Sequence, residues 1–265
     1  MRQSLPIFTA AVIFVAAGAA AARAQSDAGP SEATWAEIRA NIVGERAIED
    51  GTGLVALEAP KRAEDAALVP IEIKIKVPEG DPRRVKAVTL VLDENPAPVV
   101  GRLSFEGERR AFALSTRIRV NSYSYLRAIA ETEDGRLFMT KVYVKAAGGC
   151  SAPANKDLAE AKANLGEIRF RAFADRGEAQ VQLRHPNYSG LQMDQVTRLY
   201  TPAWYVESVV VRQGDRPLFS LQGSIAISED PTFRFTYADN GEPVTVEAKD
   251  TEGREFRRTF PAPRS

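Results

Sequence analysis

The sequence predicts an all-β protein of two β-sandwich domains, and three observations lead to that prediction. Apolar and polar residues alternate in many short runs, as they do in half-buried strands. Turn residues separate these runs, and no long helical pattern lies between them. A glycine-rich break near the middle divides the 265 residues into two parts of ordinary domain size.

The first 24 residues have the pattern of a cleaved secretory signal. Arg2 gives a basic start, the stretch from Leu5 to Ala22 is uncharged and mostly apolar, and Ala22-Arg23-Ala24 supplies the small residues that flank a cleavage site. A membrane anchor is the alternative interpretation, since the apolar run approaches spanning length. The alanine-rich end and the cleavage triplet favour removal. We therefore expect residues 1–24 to be a signal peptide and the mature protein to lie in the periplasm, off the membrane.

Composition excludes several function classes. Hydrophobic residues make up 44% and charged residues 26%, which argues against a disordered chain or a polytopic membrane protein. The 35 basic and 35 acidic residues give no net charge, so nucleic acid is not an expected partner. One histidine and one cysteine are too few for a structural zinc site, which needs four ligands. We expect no metal, no cofactor and no catalytic residues.

The first predicted domain covers residues 25–145. After a small, polar lead-in, Trp35, Ile38 and Ile42 lie at helical spacing and end at Gly44, which predicts one short amphipathic helix. The apolar residues of the stretch 71–77 then alternate with charged ones, which predicts a strand. Five further strands are predicted at Val85–Leu92, Val99–Phe105, Ala111–Val120, Tyr125–Glu131 and Leu137–Lys145.

Residues 146–166 form the predicted linker. Its first part, from Ala146 to Ala154, consists of small residues around Gly148, Gly149 and Cys150 and cannot pack a core. The second part, Asn155–Leu165, is rich in alanine and ends before a glycine, which predicts a short helix.

The second predicted domain covers residues 167–261, and each domain has about the 100 residues usual for an immunoglobulin-like sandwich. Asp239-Asn240-Gly241 and Thr251-Glu252-Gly253 are hairpin signals between strands. Besides the alternating residues at 168–172 and 181–183, strands are predicted at Tyr205–Arg212, Pro217–Leu221, Ser224–Ser228, Thr232–Tyr237, Val244–Lys249 and Glu255–Phe260.

Cys150 is the most informative residue of the sequence. Free cysteines are normally buried, but this one lies in a run of small residues that offers nothing to hide it. In an exported protein a single cysteine cannot form an intrachain disulfide. It is therefore a reactive thiol, an intermolecular crosslink or an incidental residue. We expect an exposed thiol on a flexible arm that includes Gly148, Gly149 and Ser151.

Charged residues near the arm have two interpretations each. Lys145 and Lys156 could lower the pKa of the thiol, or they could be solvated and distant from it. Arg117 and Arg119 alternate on one strand and could attract an anion, although a solvated strand face is the preferred interpretation. His185 precedes Pro186 at a strand end, and we interpret it as a structural turn residue.

Several motifs, taken in order, make the chain resemble a known pair of proteins. In the first half these are Val69-Pro70, Asn95-Pro96, Thr116-Arg117-Ile118-Arg119 and Gly148-Gly149-Cys150. In the second half they are His185-Pro186 with Gly190, Gly223-Ser224-Ile225, Asp230-Pro231 and Asp250 with Gly253. The first half resembles SoxY and the second half resembles SoxZ, the components of a bacterial sulfur-oxidation carrier. The whole chain is similar to their fused form, the SoxYZ-like carrier associated with quinoprotein dehydrogenases.

The resemblance implies a carrier rather than an enzyme. It implies that Cys150 covalently holds a thiosulfate-derived sulfur species and that the two domains pair within the chain. It also implies partners among periplasmic redox enzymes, such as c-type cytochromes, sulfur-oxidation enzymes or a quinoprotein dehydrogenase. The alternative is a non-covalent accessory or assembly module for a periplasmic quinoprotein (PQQ) alcohol dehydrogenase, in which Cys150 is dispensable.

Two departures from the SoxY and SoxZ patterns are visible. SoxY ends in Gly-Gly-Cys-Gly-Gly as a free tail, whereas Ser151 follows the cysteine here and the chain continues. The arm is therefore tethered at both ends, with the cysteine at the apex of a loop. The second departure is Asn187-Tyr188-Ser189, where the SoxZ pattern has Met-Glu-Thr, and we interpret it as an altered surface.

Overall fold

The computed structural model describes residues 31–107, 109–153, 163–194 and 197–262. The predicted signal peptide and most of the predicted linker helix lie outside these residues. The described part contains the helix α1 (Ala33–Val43) and a short 3₁₀ turn at Ala174–Arg176.

The described residues of the first half form eight strands. They are β1 (Ile48–Asp50), β2 (Val55–Glu58), β3 (Val69–Lys76), β4 (Val85–Leu92), β5 (Val99–Ser104), β6 (Ala111–Ile118), β7 (Ser124–Thr132) and β8 (Leu137–Val144). The described residues of the second half add seven more. These are β9 (Ile168–Phe173), β10 (Glu178–Leu183), β11 (Val206–Gln213), β12 (Arg216–Gly223), β13 (Thr232–Thr236), β14 (Val244–Asp250) and β15 (Glu255–Phe260).

These strands form two sheets, which confirms the all-β prediction. One sheet has nine strands in the order β1-β8-β7-β4-β5-β12-β11-β14-β15, and the other has six in the order β2-β3-β6-β13-β10-β9. The inward-facing residues alternate along the strands, as in Val69, Ile71, Ile73 and Ile75 of β3. Burial of these apolar side chains is the main source of stability.

Both sheets continue from the first half of the chain into the second. β5 pairs antiparallel with β12, with Leu103 opposite Leu221, and β6 pairs with β13, with Leu114 opposite Phe235. Buried residues from both halves therefore belong to one hydrophobic core. The expected pairing of the two halves within one chain is confirmed, and it takes the form of two shared sheets.

The helix α1 lies where the sequence predicts it and ends before Gly44, whose φ is 66°. It is held by Arg127 of β7, whose buried side chain makes an ion pair of 2.6 Å with Asp93 and a second ion pair with Glu32. The Arg127 guanidinium also lies 4.4 Å from the ring centroid of Trp35. The helix thus packs on the nine-stranded sheet, where Trp35 and Val43 form a small cluster with Val91, Ile129 and Leu137.

The predicted strand at Ser224–Ser228 is wrong. Ser224 caps a turn there: its Oγ accepts a hydrogen bond from the Ala226 amide, and its carbonyl accepts one from the Ile227 amide. Only a single bridge between Ile227 and Ile118 is sheet-like. A serine hydroxyl that bonds its own backbone favours a turn over a strand. The short strands β1 and β2 have too few alternating residues to be recognised from the sequence.

Candidate functional site

The arm leaves β8 and runs between the two halves of the molecule. Ala147 and Gly148 are exposed, Gly149 and Cys150 are buried, and Ser151 is exposed again. The backbone is held on the first half by two hydrogen bonds, from the Gly148 amide to Asn121 O (2.8 Å) and from the Gly149 amide to Val120 O (3.0 Å). The buried stretch is therefore two residues long, and exposed residues flank it on both sides.

The expectation of an exposed thiol is wrong. Cys150 is 0% exposed and is not in a disulfide. The small residues around it cannot cover it themselves, but they let the backbone lie flat against neighbouring segments that do. Likewise, Gly148, Gly149 and Ser151 form a docked segment in this structure, so the flexibility of the arm stays a prediction.

Glycine is required at positions 148 and 149 for two different structural reasons. A Cβ added at Gly149 would lie 2.0 Å from Ala66 O and 2.8 Å from Val120 O, so no side chain fits where the arm crosses this backbone. Gly148 has a φ of +82° with no atom within 4 Å of an added Cβ. It is needed for its left-handed conformation rather than for space. Docking of the arm therefore depends on Gly149 more than on Gly148.

A loop of the second half, residues 185–192, covers the arm from the other side; we call it the cradle loop. The Ser189 hydroxyl donates a short hydrogen bond to the carbonyl of Cys150. The side-chain amide of Gln192 donates a hydrogen bond to Ala152 O at 3.0 Å. The two halves of the chain thus enclose the cysteine between them.

The interpretation of Asn187-Tyr188-Ser189 as an altered surface is also wrong. These residues are 0%, 5% and 3% exposed. Asn187 has a φ of 44° and its side chain bonds the backbone twice, to Ile227 O at 3.3 Å and from the Val206 amide at 3.1 Å. Asparagine is one of the few residues that tolerate this conformation. The departure from the SoxZ pattern therefore lies directly beside the cysteine.

Arg119 is the charged group at this site. It is 2% exposed, so its interpretation as part of a solvated strand face is wrong. Its Nη1 is 3.5 Å from Gly149 O and its Nη2 is 3.2 Å from Asn187 O. Nε has no hydrogen-bond partner among the described residues. Arg117, two residues earlier, is only partly buried and donates to Asp230 O at 3.4 Å.

Burial and the neighbouring cation act on the thiol in opposite directions. Burial raises the pKa of Cys150 above its usual range, and the positive charge of Arg119 lowers it by a smaller amount. The docked thiol is therefore protonated near neutral pH. Lys145 is exposed, and Lys156 lies outside the described residues, so the cation that acts on the thiol is Arg119.

His185 is a structural residue that orders the cradle loop, as its turn position predicts. Its Nδ1 accepts a hydrogen bond of 3.0 Å from the Asn187 amide, and Nε2 is 3.5 Å from Asp250 Oδ2 without forming a hydrogen bond. Trp204 Nε1 donates to the same carboxylate oxygen at 2.8 Å. Burial lowers the pKa of His185, so the imidazole is neutral.

The structure thus brings Cys150 together with Arg119, Ser189 and Gln192. The sequence analysis singles out Cys150 and Arg119, and it names Ser189 only within the departure from the SoxZ pattern. No sequence signal distinguishes Gln192 from other polar loop residues. The burial of Arg119 has no sequence signal either, since Ile118, Arg119 and Val120 continue the alternation of apolar and charged residues and only the structure shows that all three are buried.

Two further findings concern metal ions and membranes. Within the described ranges, no group of three or more histidine, cysteine, aspartate or glutamate residues could hold a metal ion. No helix among those same residues is both long and apolar enough to cross a membrane. The chemistry that the arrangement offers is that of one thiol beside one guanidinium.

Comparison with protein families gives two matches, one in each half. The model of the sulfur oxidation protein SoxY matches residues 39–150, and that of the sulphur oxidation protein SoxZ matches residues 168–261. The first match ends at Cys150 itself. No curated protein matches the chain.

Similarity to solved structures is low. A superoxide reductase (neelaredoxin) from Ignicoccus hospitalis is 17% identical over 35% of this chain and 79% of that chain, with a TM-score of 0.29. A glycosyl hydrolase family 2 member from Bacteroides cellulosilyticus DSM 14838 is 12% identical over 74% of this chain and 24% of that one, with a TM-score of 0.19. Scores this low carry no argument about function.

Proposed function

The chain belongs to the SoxY and SoxZ families as a fusion of the two, with the role of a sulfur-oxidation carrier, and from that premise we propose that it carries its cargo covalently on Cys150. The cargo is a thiosulfate-derived sulfur species, and the chain presents it to partner redox enzymes in the periplasm. The observation that carries the proposal is the position of the only cysteine, at the end of the SoxY match and at the junction of both halves.

The loading step requires a partner that accepts electrons. A bond forms between Cys150 Sγ and the outer sulfur of thiosulfate, the thiol proton goes to solvent, and two electrons go to an oxidant such as a c-type cytochrome. The product is a cysteine S-thiosulfonate with one negative charge at its sulfonate end. This chain supplies the thiol and its surroundings, while the oxidant and any later hydrolysis come from partners.

Burial of the thiol has a consequence for this cycle. A partner can reach Sγ only after the arm leaves the cradle loop, because both halves cover it. The hydrogen bonds from the cradle loop that must be broken are two, from Ser189 and from Gln192. At about 1 kcal/mol each, they contribute about 2 kcal/mol to the opening free energy, which local opening reaches readily. The Gly148 and Gly149 amide bonds and the contact with Arg119 keep the opened arm on the first half.

A second candidate function is the non-covalent accessory module for a quinoprotein dehydrogenase system. The observation that favours it is the same burial, since a cysteine that only packs between two halves needs no access to solvent. In that case the exposed sheet faces make the partner contacts and the thiol takes no part.

One pair of measurements separates the two functions. Cys150→Ser in the host organism should abolish oxidation of the sulfur compound, while the purified variant still captures its periplasmic partner. If the protein is a non-covalent module, Cys150→Ser should keep both the oxidation of the sulfur compound and the capture of the partner. Undiminished sulfur oxidation with Cys150→Ser would therefore rule out the covalent carrier.

A further inference from the structure

The guanidinium of Arg119 is a buried cation without an ion-pair partner among the described residues. Asp65 and Glu229 lie near enough to act on its charge, but neither makes a described ion pair with it. Its two terminal nitrogens donate only to backbone carbonyls, at 3.5 and 3.2 Å, and Nε has no hydrogen-bond partner in the described part of the chain. A buried charge of this kind is costly unless an anion completes it.

The position of this cation points to the anion. One bond of Arg119 goes to the carbonyl of Gly149, the residue before Cys150, and the other goes to the cradle loop. The positive charge of Arg119 also lowers the pKa of the Cys150 thiol, against the larger raising effect of burial. The planar guanidinium presents its N–H donors as a fork that suits oxoanions such as a carboxylate or a sulfonate.

We propose that Arg119 is the anion-recognition group of the carrier site and pairs with the negatively charged end of whatever is attached to Cys150. The inference rests on the proposed carrier function and assigns the residue that recognises the negative charge of the cargo. Arg119 thereby selects reagents that bring a negative charge to Sγ. When the arm is loaded, the negatively charged end of the adduct supplies an ion-pair partner for the buried guanidinium.

A matched pair of thiol reagents tests this proposal. Iodoacetate and iodoacetamide react identically: the C–I bond breaks, a C–S bond forms to Sγ, iodide leaves and the thiol proton goes to solvent. They differ in the charge that they deliver. Because both need the same opening of the arm, the ratio of their rates cancels the accessibility of the thiol and reports only the recognition of charge.

The full chain at low ionic strength should show an iodoacetate-to-iodoacetamide ratio about fivefold higher than the same chain unfolded in urea, as expected for about 1 kcal/mol from one ion pair. Arg119→Gln should bring the ratio down to that of the unfolded chain. Arg117→Gln, which removes a cation of the same strand that does not contact the arm, should leave the ratio high.

Three results would overturn the proposal: a native ratio equal to the unfolded one, a high ratio that persists in Arg119→Gln, or an equal fall in Arg117→Gln. If Arg119→Gln does not fold, the native ratio and Arg119→Lys, which keeps the charge and should keep most of the ratio, still decide. This test is independent of the carrier function, whose failure would show as an absence of sulfur adducts in the organism.

Discussion

Ser189→Ala should make Cys150 more reactive, because the Ser189 hydroxyl holds the carbonyl of the cysteine in the cradle loop. A net hydrogen bond contributes about 0.5–1.5 kcal/mol. The arm opens and recloses before most encounters with a reagent, so its alkylation rate follows the population of the open form. Loss of this bond should therefore raise the rate with neutral iodoacetamide by about two- to tenfold.

Intact-mass spectrometry over a time course measures this rate directly, since the chain has a single cysteine. The matched control is Ser224→Ala, which removes a hydrogen bond of 3.0 Å to Val100 O between the two halves but not at the arm. It should lower the free energy of unfolding without a comparable rise in alkylation. An unchanged rate in Ser189→Ala, or the same rise in both variants, would refute the docked-arm reasoning.

Three further predictions follow from the same structure. Gly149→Ala should undock the arm and bring alkylation of Cys150 close to the rate of the unfolded chain, because the added Cβ meets backbone at 2.0 Å, whereas Gly148→Ala should have a much smaller effect. Asn187→Ala should lower the free energy of unfolding in urea by about 2–3 kcal/mol, because two hydrogen bonds are lost and alanine is strained at this positive φ. Asn187→Gly should recover about 1 kcal/mol of that loss, and equal losses in the two variants would contradict the strain argument. Burial raises the pKa of Glu131, but hydrogen bonds from Arg102 and two other cations outweigh it and lower that pKa from 4.5 to about 2. The stability that Glu131 contributes is thus complete above about pH 4.5 and is lost as pH falls toward 2. In urea titrations, the free energy of unfolding of wild type should therefore fall by about 1–2 kcal/mol more than that of Glu131→Gln between pH 5 and pH 3.

The sequence predicts the fold well because local patterns determine it. Alternation of apolar residues identifies β3 and β4 to within a residue or two, and the Gly44 stop identifies the end of α1. The pairing of β5 with β12 and of β6 with β13 is long-range, and no local pattern encodes it. The prediction of two domains therefore did not anticipate that they share both sheets.

The site shows the limits of local reasoning more clearly. Cys150 is surrounded in sequence by residues too small to cover it, and this led to the expectation of an exposed thiol. The arm lies instead against Val120 and Ala66 at Gly149 and against Ser189 at the carbonyl of Cys150, segments that are distant along the chain. Small residues favour close backbone contact as much as they favour flexibility, and only the tertiary structure distinguishes the two.

The mass of Cys150 in the protein isolated from its own organism, grown on a reduced sulfur compound, tests the covalent carrier most directly. We expect a fraction of the molecules to bear a sulfur-containing adduct that reducing agent removes and that Cys150→Ser lacks. A thiol that is free in every molecule under those growth conditions would contradict the account.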